Sequence, residues 1–144
     1  MRSFIVISSL LFSYSSSSAQ SLQQHQWEDR IILIFADSED NEFYQEQLQH
    51  LQANEAELKD RDLVVYRILD QKAFQPGGKP MERDWADALR SSYQGEEKSF
   101  LFVLIGKDGG VKLRSNREVE VKKLFALIDG MPMRRAEMRK RGKG

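Results

Sequence analysis

An α/β fold, a four-stranded mixed sheet with helices on both faces, is what the sequence predicts, and three features predict it. Two runs, Arg30–Ala36 and Phe100–Ile105, are apolar without alternation and rich in β-branched and aromatic residues, the mark of central strands covered on both sides. Asp108-Gly109 follows the second run as a hairpin turn, and Val111–Arg114 then alternates as a half-exposed edge strand does. Between the runs, Tyr44, Leu48, Leu51 and Leu58 recur at helical spacing.

Taken in order, residues 20–26 form a polar lead-in, and Trp27 is expected to pack beside the first strand. After that strand, Asp37–Asn41 is a polar loop in which Ser38, Asp40 or Asn41 can cap a helix running to about Lys59. Leu63–Leu69 reads as a third strand. Residues 71–83 carry Pro76-Gly77-Gly78 and Pro80 and read as a long loop. Asp84–Tyr93 is a short helix with Trp85, Leu89 and Tyr93 inward. Beyond the hairpin, Ser115-Asn-Arg-Glu118 has the form of a capping box opening the last core helix. Val121, Leu124, Phe125 and Ile128 are its stripe, and Gly130 stands at its end. Pro132 suits the first turn of a further short helix. The order β-α-β-α-β-β-α, with 31–36 and 100–105 side by side, is that of the thioredoxin fold core.

The 144 residues, 40% hydrophobic and 31% charged, suit one globular domain. The formal charge of zero hides an asymmetry. Without Arg2 and residues 134–144, fifteen basic side chains face twenty-one acidic ones, so an acidic body precedes a basic tail. Met1-Arg2, the apolar segment Phe4–Phe12 and Ser17-x-Ala19 read as a signal peptide over residues 1–19, with cleavage after Ala19 and export to the periplasm or beyond. The expected domain then spans 20–133 and the basic tail 134–144. A segment of nine residues is too short to span a bilayer, for which about twenty are needed, so no membrane span is expected. There is no cysteine, which excludes thiol exchange, peroxide reduction by a thiolate and thiolate metal binding.

Three stretches, Arg61-Asp62-Leu63, Gly106–Arg114 and Ile128–Met138, resemble the signatures of the DUF4174 family, small exported bacterial proteins of unknown function. The domain is also called P-DUDES for its similarity to peroxiredoxins. The resemblance implies a thioredoxin-like fold with no established activity. Related domains in vertebrate extracellular proteins with sushi repeats imply matrix and adhesion roles. In this fold the catalytic corner is the loop after the first central strand, here Asp37–Asn41, which holds no cysteine. The proline that commonly precedes the third core strand in redox-active relatives is also missing, Glu97-Lys98-Ser99 standing there.

Among possible sites, Asp37, Glu39, Asp40 and Glu42 suggest hard-cation chemistry, but a calcium loop counted from Asp37 requires glycine at Glu42 and glutamate at Leu48. Acidic residues are also favoured at a helix start by the dipole. His25, in the lead-in, and His50, in a Gln-rich helix, pair on a metal only if the fold joins them. No Gly-x-Ser-x-Gly elbow or phosphate loop occurs. The tail cations have no aromatic neighbour on which to stack bases, and with export this argues against nucleic acid. Arg134 and Arg135 adjoin the fold and suit docking on the acidic body.

The expected function is a binding or interaction module without thiol redox chemistry and without a cofactor, its partner a protein or small ligand in the envelope or outside the cell. One alternative is an enzyme using carboxylates and arginines of the Asp37 loop and the Met131–Arg135 segment. Another is a structural protein of the envelope. The candidate binding surface comprises Asp37, Asp40, Arg61, Asp62, Lys107, Asp108, Arg114, Arg134 and Arg135. Convergence of these residues on one pocket would favour a site, and scatter would not.

Overall fold

The strand Arg30–Ala36 (β1) lies at the centre of the sheet, every residue of it buried. The computed structural model describes residues 22–142; the expected signal peptide lies outside them. Leu63–Leu69 (β2) pairs parallel to β1 and Phe100–Ile105 (β4) antiparallel to its other side, Ile34 opposite Phe102. Val111–Ser115 (β5) closes the hairpin on β4, with a register shift between Leu104 and Ile105. The sheet has five strands rather than four, in the order β3-β2-β1-β4-β5. The additional strand, Ala73–Phe74 (β3), pairs antiparallel with β2 inside the segment read as a loop, and Phe74 also bridges to Pro80. Two residues are too few to show a strand period.

Alternation along β1 and β4 divides the core between two faces. Ile32, Ile34, Phe100, Phe102 and Leu104 pack with Tyr44, Leu51 and Leu58 and with Leu124 and Ile128. Ile31, Leu33, Phe35, Leu101, Val103 and Ile105 pack with Tyr66, Ile68, Ala86 and Leu89 on the other face. Helices thus lie on both faces.

The first helical stretch is two helices, Glu42–Gln52 (α1) and Glu55–Asp60 (α2). Asn41 caps α1, its Oδ1 accepting from the Tyr44 amide at 3.1 Å. At the break, Asn54 Nδ2 donates to the His50 carbonyl at 2.7 Å, the local competition with the helix for which asparagine is known. Arg83–Leu89 (α3) continues into a π-helical turn, Arg90–Gln94. The helix expected to open at Ser115 begins instead at Val121 and ends at Asp129 (α4), because Ser115 is still in β5 and its Oγ accepts from the Arg117 amide. Gly130 ends α4 in a right-handed conformation, φ −79°. Pro132–Lys140 (α5) starts with the proline in its first turn, and Arg134 docks on acidic side chains of the body while Arg135 stays exposed. Trp27 does not pack beside β1. It is 62% exposed at a positive φ of 69°, where its amide donates to the Lys107 carbonyl at 2.7 Å. The backbone bond, not ring burial, sets its place.

Candidate functional site

Arg30 opens β1 on the face of Ile32 and Ile34, and its guanidinium, 1% exposed, lies beneath α5. Nη1 donates to the Arg61 carbonyl at 3.0 Å, while Nη1 and Nη2 grip Glu137 bidentately at 3.2 Å each. Glu137 also takes Lys107 Nζ at 2.7 Å, and Lys107 reaches Asp62 at 2.8 Å. Asp62 has φ 51°, a left-handed conformation that aspartate tolerates better than most residues, and its carbonyl accepts the Arg30 amide at 2.8 Å.

The second half of the network joins α2, α4 and α5. Arg61 binds both oxygens of Asp129, at 3.0 and 2.8 Å, and Glu57 at 2.7 Å, with its guanidinium 4.2 Å from the Phe125 ring centre. Arg134, 2% exposed, donates to Asp129 at 3.1 Å and to the Asp60 carboxylate at 2.6 Å. Arg141 adds a bond to the Asp60 carbonyl at 2.7 Å. Burial acts to raise the pKa of Asp129, but hydrogen bonds from Arg61 and Arg134 outweigh it and hold the carboxyl below its ordinary range. Glu137 is likewise raised by burial and lowered further by Lys107 and Arg30, for a net fall. Burial opposes the charged forms of Arg61 and Arg134, yet bonds to Asp129 and Glu57, and to Asp60 and Asp129, leave both pKa values raised. Every buried cation here already has a carboxylate. The assembly is a clamp between the closing helix and the sheet, and it leaves no buried arginine free for an anion.

Four expected site residues, Arg61, Asp62, Lys107 and Arg134, therefore come together. Asp37 and Asp40 do not join them. They follow the other end of β1, about 20 Å away at ~3.3 Å per residue, where Asp37 Oδ1 accepts from the Ser38 amide at 2.8 Å and from Asn41 at 3.1 Å. Asp108 pairs with Lys112 at 2.8 Å, and that bond keeps its carboxyl below the ordinary range. Arg114 and Arg135 are exposed outside the network. Arg30, Asp60, Asp129 and Glu137 belong to it without having been singled out in the sequence. Asp129 and Glu137 stand within Ile128–Met138, so each of the three resembling stretches contributes to this one cluster.

On the opposite face at the same end of the sheet, Ile31 and Ile105 floor a cleft of about 340 Å³. Residues 22–29 form one wall, and Leu89, Ser92 and Tyr93 another. His25 fastens the first wall, its Nδ1 2.7 Å from Asp29 and its Nε2 2.6 Å from the Tyr66 hydroxyl. With Nδ1 protonated, Nε2 accepts from Tyr66 and the chain is satisfied throughout. The lead-in is thus tied to β2, and His25 does not meet His50. Among the described residues no group of three or more His, Asp or Glu is arranged to hold a metal.

Comparison with known proteins fixes the family. The model of the domain of unknown function DUF4174 matches residues 21–137. The chain belongs to the DUF4174 family. This DUF4174 chain is 27% identical over 133 residues to coiled-coil domain-containing protein 80 of Danio rerio, covering 81% of the chain but 15% of that protein. Among solved structures it resembles a reduced 2-Cys peroxiredoxin of Plasmodium vivax, with a TM-score of 0.56 at 15% identity over 80% of this chain and 84% of that one. The fold of this DUF4174 domain is thioredoxin-like. No helix among its described residues is long and apolar enough to cross a membrane.

Proposed function

We propose that this DUF4174 protein is an exported thioredoxin-like domain that carries no thiol redox chemistry and acts as a binding module. The observation that carries the reading is the absence of cysteine from all 144 residues, since reduction of disulfides or peroxides in this fold requires a thiolate. The geometry of the corner loop supports it. Asp37 and Asn41 bond to each other and Asn41 to Ser99 at 3.3 Å, so the loop is closed on itself. The enzyme alternative draws on two sets of residues at opposite ends of β1, and the arginine nearest the fold, Arg134, is already occupied by Asp60 and Asp129.

Two measurements test the proposal. The pure chain should give the no-enzyme rate in insulin-reduction and peroxide assays. Immobilised mature chain should retain a specific partner from an envelope or extracellular fraction. Clear turnover, or no retention above an unrelated thioredoxin-like control, would overturn it.

A further inference from the structure

We propose that the cleft between residues 22–29 and the π-helical turn binds an organic cation, an ammonium group carried on an apolar stem. The inference rests on the binding-module reading above and gives that module a ligand class. Its volume, about 340 Å³, falls at the lower end of small-molecule sites, roughly 300–1,000 Å³, and fits one amino-alkyl or amino-aryl group rather than a folded surface. The floor, Ile31 and Ile105, is apolar, and Leu22 and Leu89 extend the apolar lining up the walls. A ligand that fills it needs a hydrophobic stem.

The polar groups choose the charge. Asp29 and Asp108 line the cleft, and neither lysine nor arginine does. Asp29 spends Oδ2 on His25, while Oδ1 takes no hydrogen bond among the described residues. Asp108 is held as a carboxylate by Lys112 from outside the cleft. Tyr93 adds a half-buried ring whose hydroxyl takes no hydrogen bond among the described residues, and burial raises its pKa, so it stays neutral. A free carboxylate oxygen and an aromatic ring are what a desolvated ammonium uses, through a charge-assisted hydrogen bond and a cation–π contact. An anion would meet the Asp29 carboxylate with no lysine or arginine in the lining to offset it.

The walls are also built to stay in place. His25 ties the first one to Tyr66 and Asp29, and Trp27, held by the Lys107 carbonyl, fixes its far end. Ser92 and Tyr93 sit in the π-helical turn, a rare conformation frequently found at functional sites. Because both nitrogens of His25 are engaged, its role is to position the wall.

The test is a titration of the ¹⁵N-labelled mature chain with phenethylammonium, with phenethyl alcohol and phenylpropionate as neutral and anionic counterparts, and with a short capped peptide bearing one lysine between apolar residues. Amides of residues 22–29, 88–93 and 105–110 should shift with the ammonium and weakly or not at all with its counterparts. The free amine and the peptide separate a small-molecule ligand from a protein-borne lysine, since the true source binds more tightly. Asp29→Asn keeps an oxygen for His25 but removes the charge, and roughly tenfold weaker binding is expected. Ser92→Trp, at an exposed wall position, should abolish the shifts by filling the space. Shifts elsewhere, equal response to all three probes, or unchanged affinity in Asp29→Asn would overturn the proposal. If the amines fail while the immobilised chain still captures a partner, the cleft assignment falls and the binding-module reading stands.

Discussion

Glu137 is the residue whose loss should be felt most at the charged end of the sheet. It is 18% exposed and faces Arg30 at 3.2 Å, Lys107 at 2.7 Å and Arg134 at 3.8 Å, side chains that are 1%, 7% and 2% exposed. Glu137→Ala strands Arg30 with a single carbonyl partner, whereas Lys107 keeps Asp62 and Arg134 keeps Asp60 and Asp129. Breaking a buried pair costs ~3–5 kcal/mol because an uncompensated charge remains. Partial exposure of Glu137 and the second partner of Lys107 place this case near the lower bound, about 3 kcal/mol. That is a large share of the ~5–15 kcal/mol that holds a domain together. Urea melts followed by far-ultraviolet circular dichroism would measure it, with Glu46→Ala as control. Glu46 is 51% exposed and the His50 ring lies 4.0 Å away, so that variant should stay within about 0.5 kcal/mol. Adding Arg30→Met should return part of the Glu137→Ala loss, since a buried pair replaced by apolar groups is often neutral. A loss below ~1 kcal/mol from Glu137→Ala, or a further fall in the double variant, would show that the network does not hold α5.

Phe102 is fully buried opposite Ile34, and Phe102→Ala should cost roughly 3–5 kcal/mol in the same melts, while Lys112→Ala, which removes an exposed pair with Asp108, should cost no more than about 0.5 kcal/mol. Asp129 and Glu137 have pKa values held below the ~3.9 and ~4.3 of free carboxyls, so the unfolded chain takes up protons first as pH falls. The stability they contribute is complete above about pH 5 and is lost as pH drops through their folded values; a flat stability profile from pH 5 to 2 would contradict this, and Glu137→Ala should show a shallower fall. Mass spectrometry of the protein recovered from its native compartment should give an N-terminus at Gln20, and retention of Met1 on a cytosolic protein would remove the export proposal.

The strands were legible where burial is complete. The continuous apolar runs of β1 and β4 mark central strands, and two strands covered on both faces take neighbouring places in the middle of the sheet, with the Asp108-Gly109 turn adding β5 on the outer side of β4. β3 was not legible, because Ala73 and Phe74 gain their strand character from β2 and Pro80 rather than from their own pattern. The break after α1 depends on Asn54 bonding back to His50, one residue's choice within an otherwise helical run. Ser115 has the right spacing to cap a helix, and the β4–β5 ladder claims it first, opposite Phe102.

The site was legible in part for a related reason. Arg61, Asp62, Lys107 and Arg134 could be named because they stand in stretches resembling family signatures. Arg30 could not, since an arginine at the start of an apolar run reads as a solvent-facing boundary and arginine is almost never fully buried unless paired. Its partner, Glu137, lies 107 residues away. Pairings at that separation depend on how the closing helix lies over the sheet, which no local pattern records.

The polar groups are unevenly distributed between the two ends of β1. The loop after β1 is closed by Asp37, Asn41 and Ser99 and holds no cysteine. The charged investment lies instead at the start of β1, where alternation sends Arg30 to the clamp on one face and Ile31 to the cleft on the other. The clamp fixes the backbone from Arg61 to Leu63 and from Gly106 to Asp108, and this second segment also forms one side of the cleft. Stability and the proposed binding site therefore share a segment of backbone. A substitution in the clamp that leaves the domain folded, such as Lys107→Met, should alter ligand binding without touching the ligand, through the position of Asp108 and Gly109.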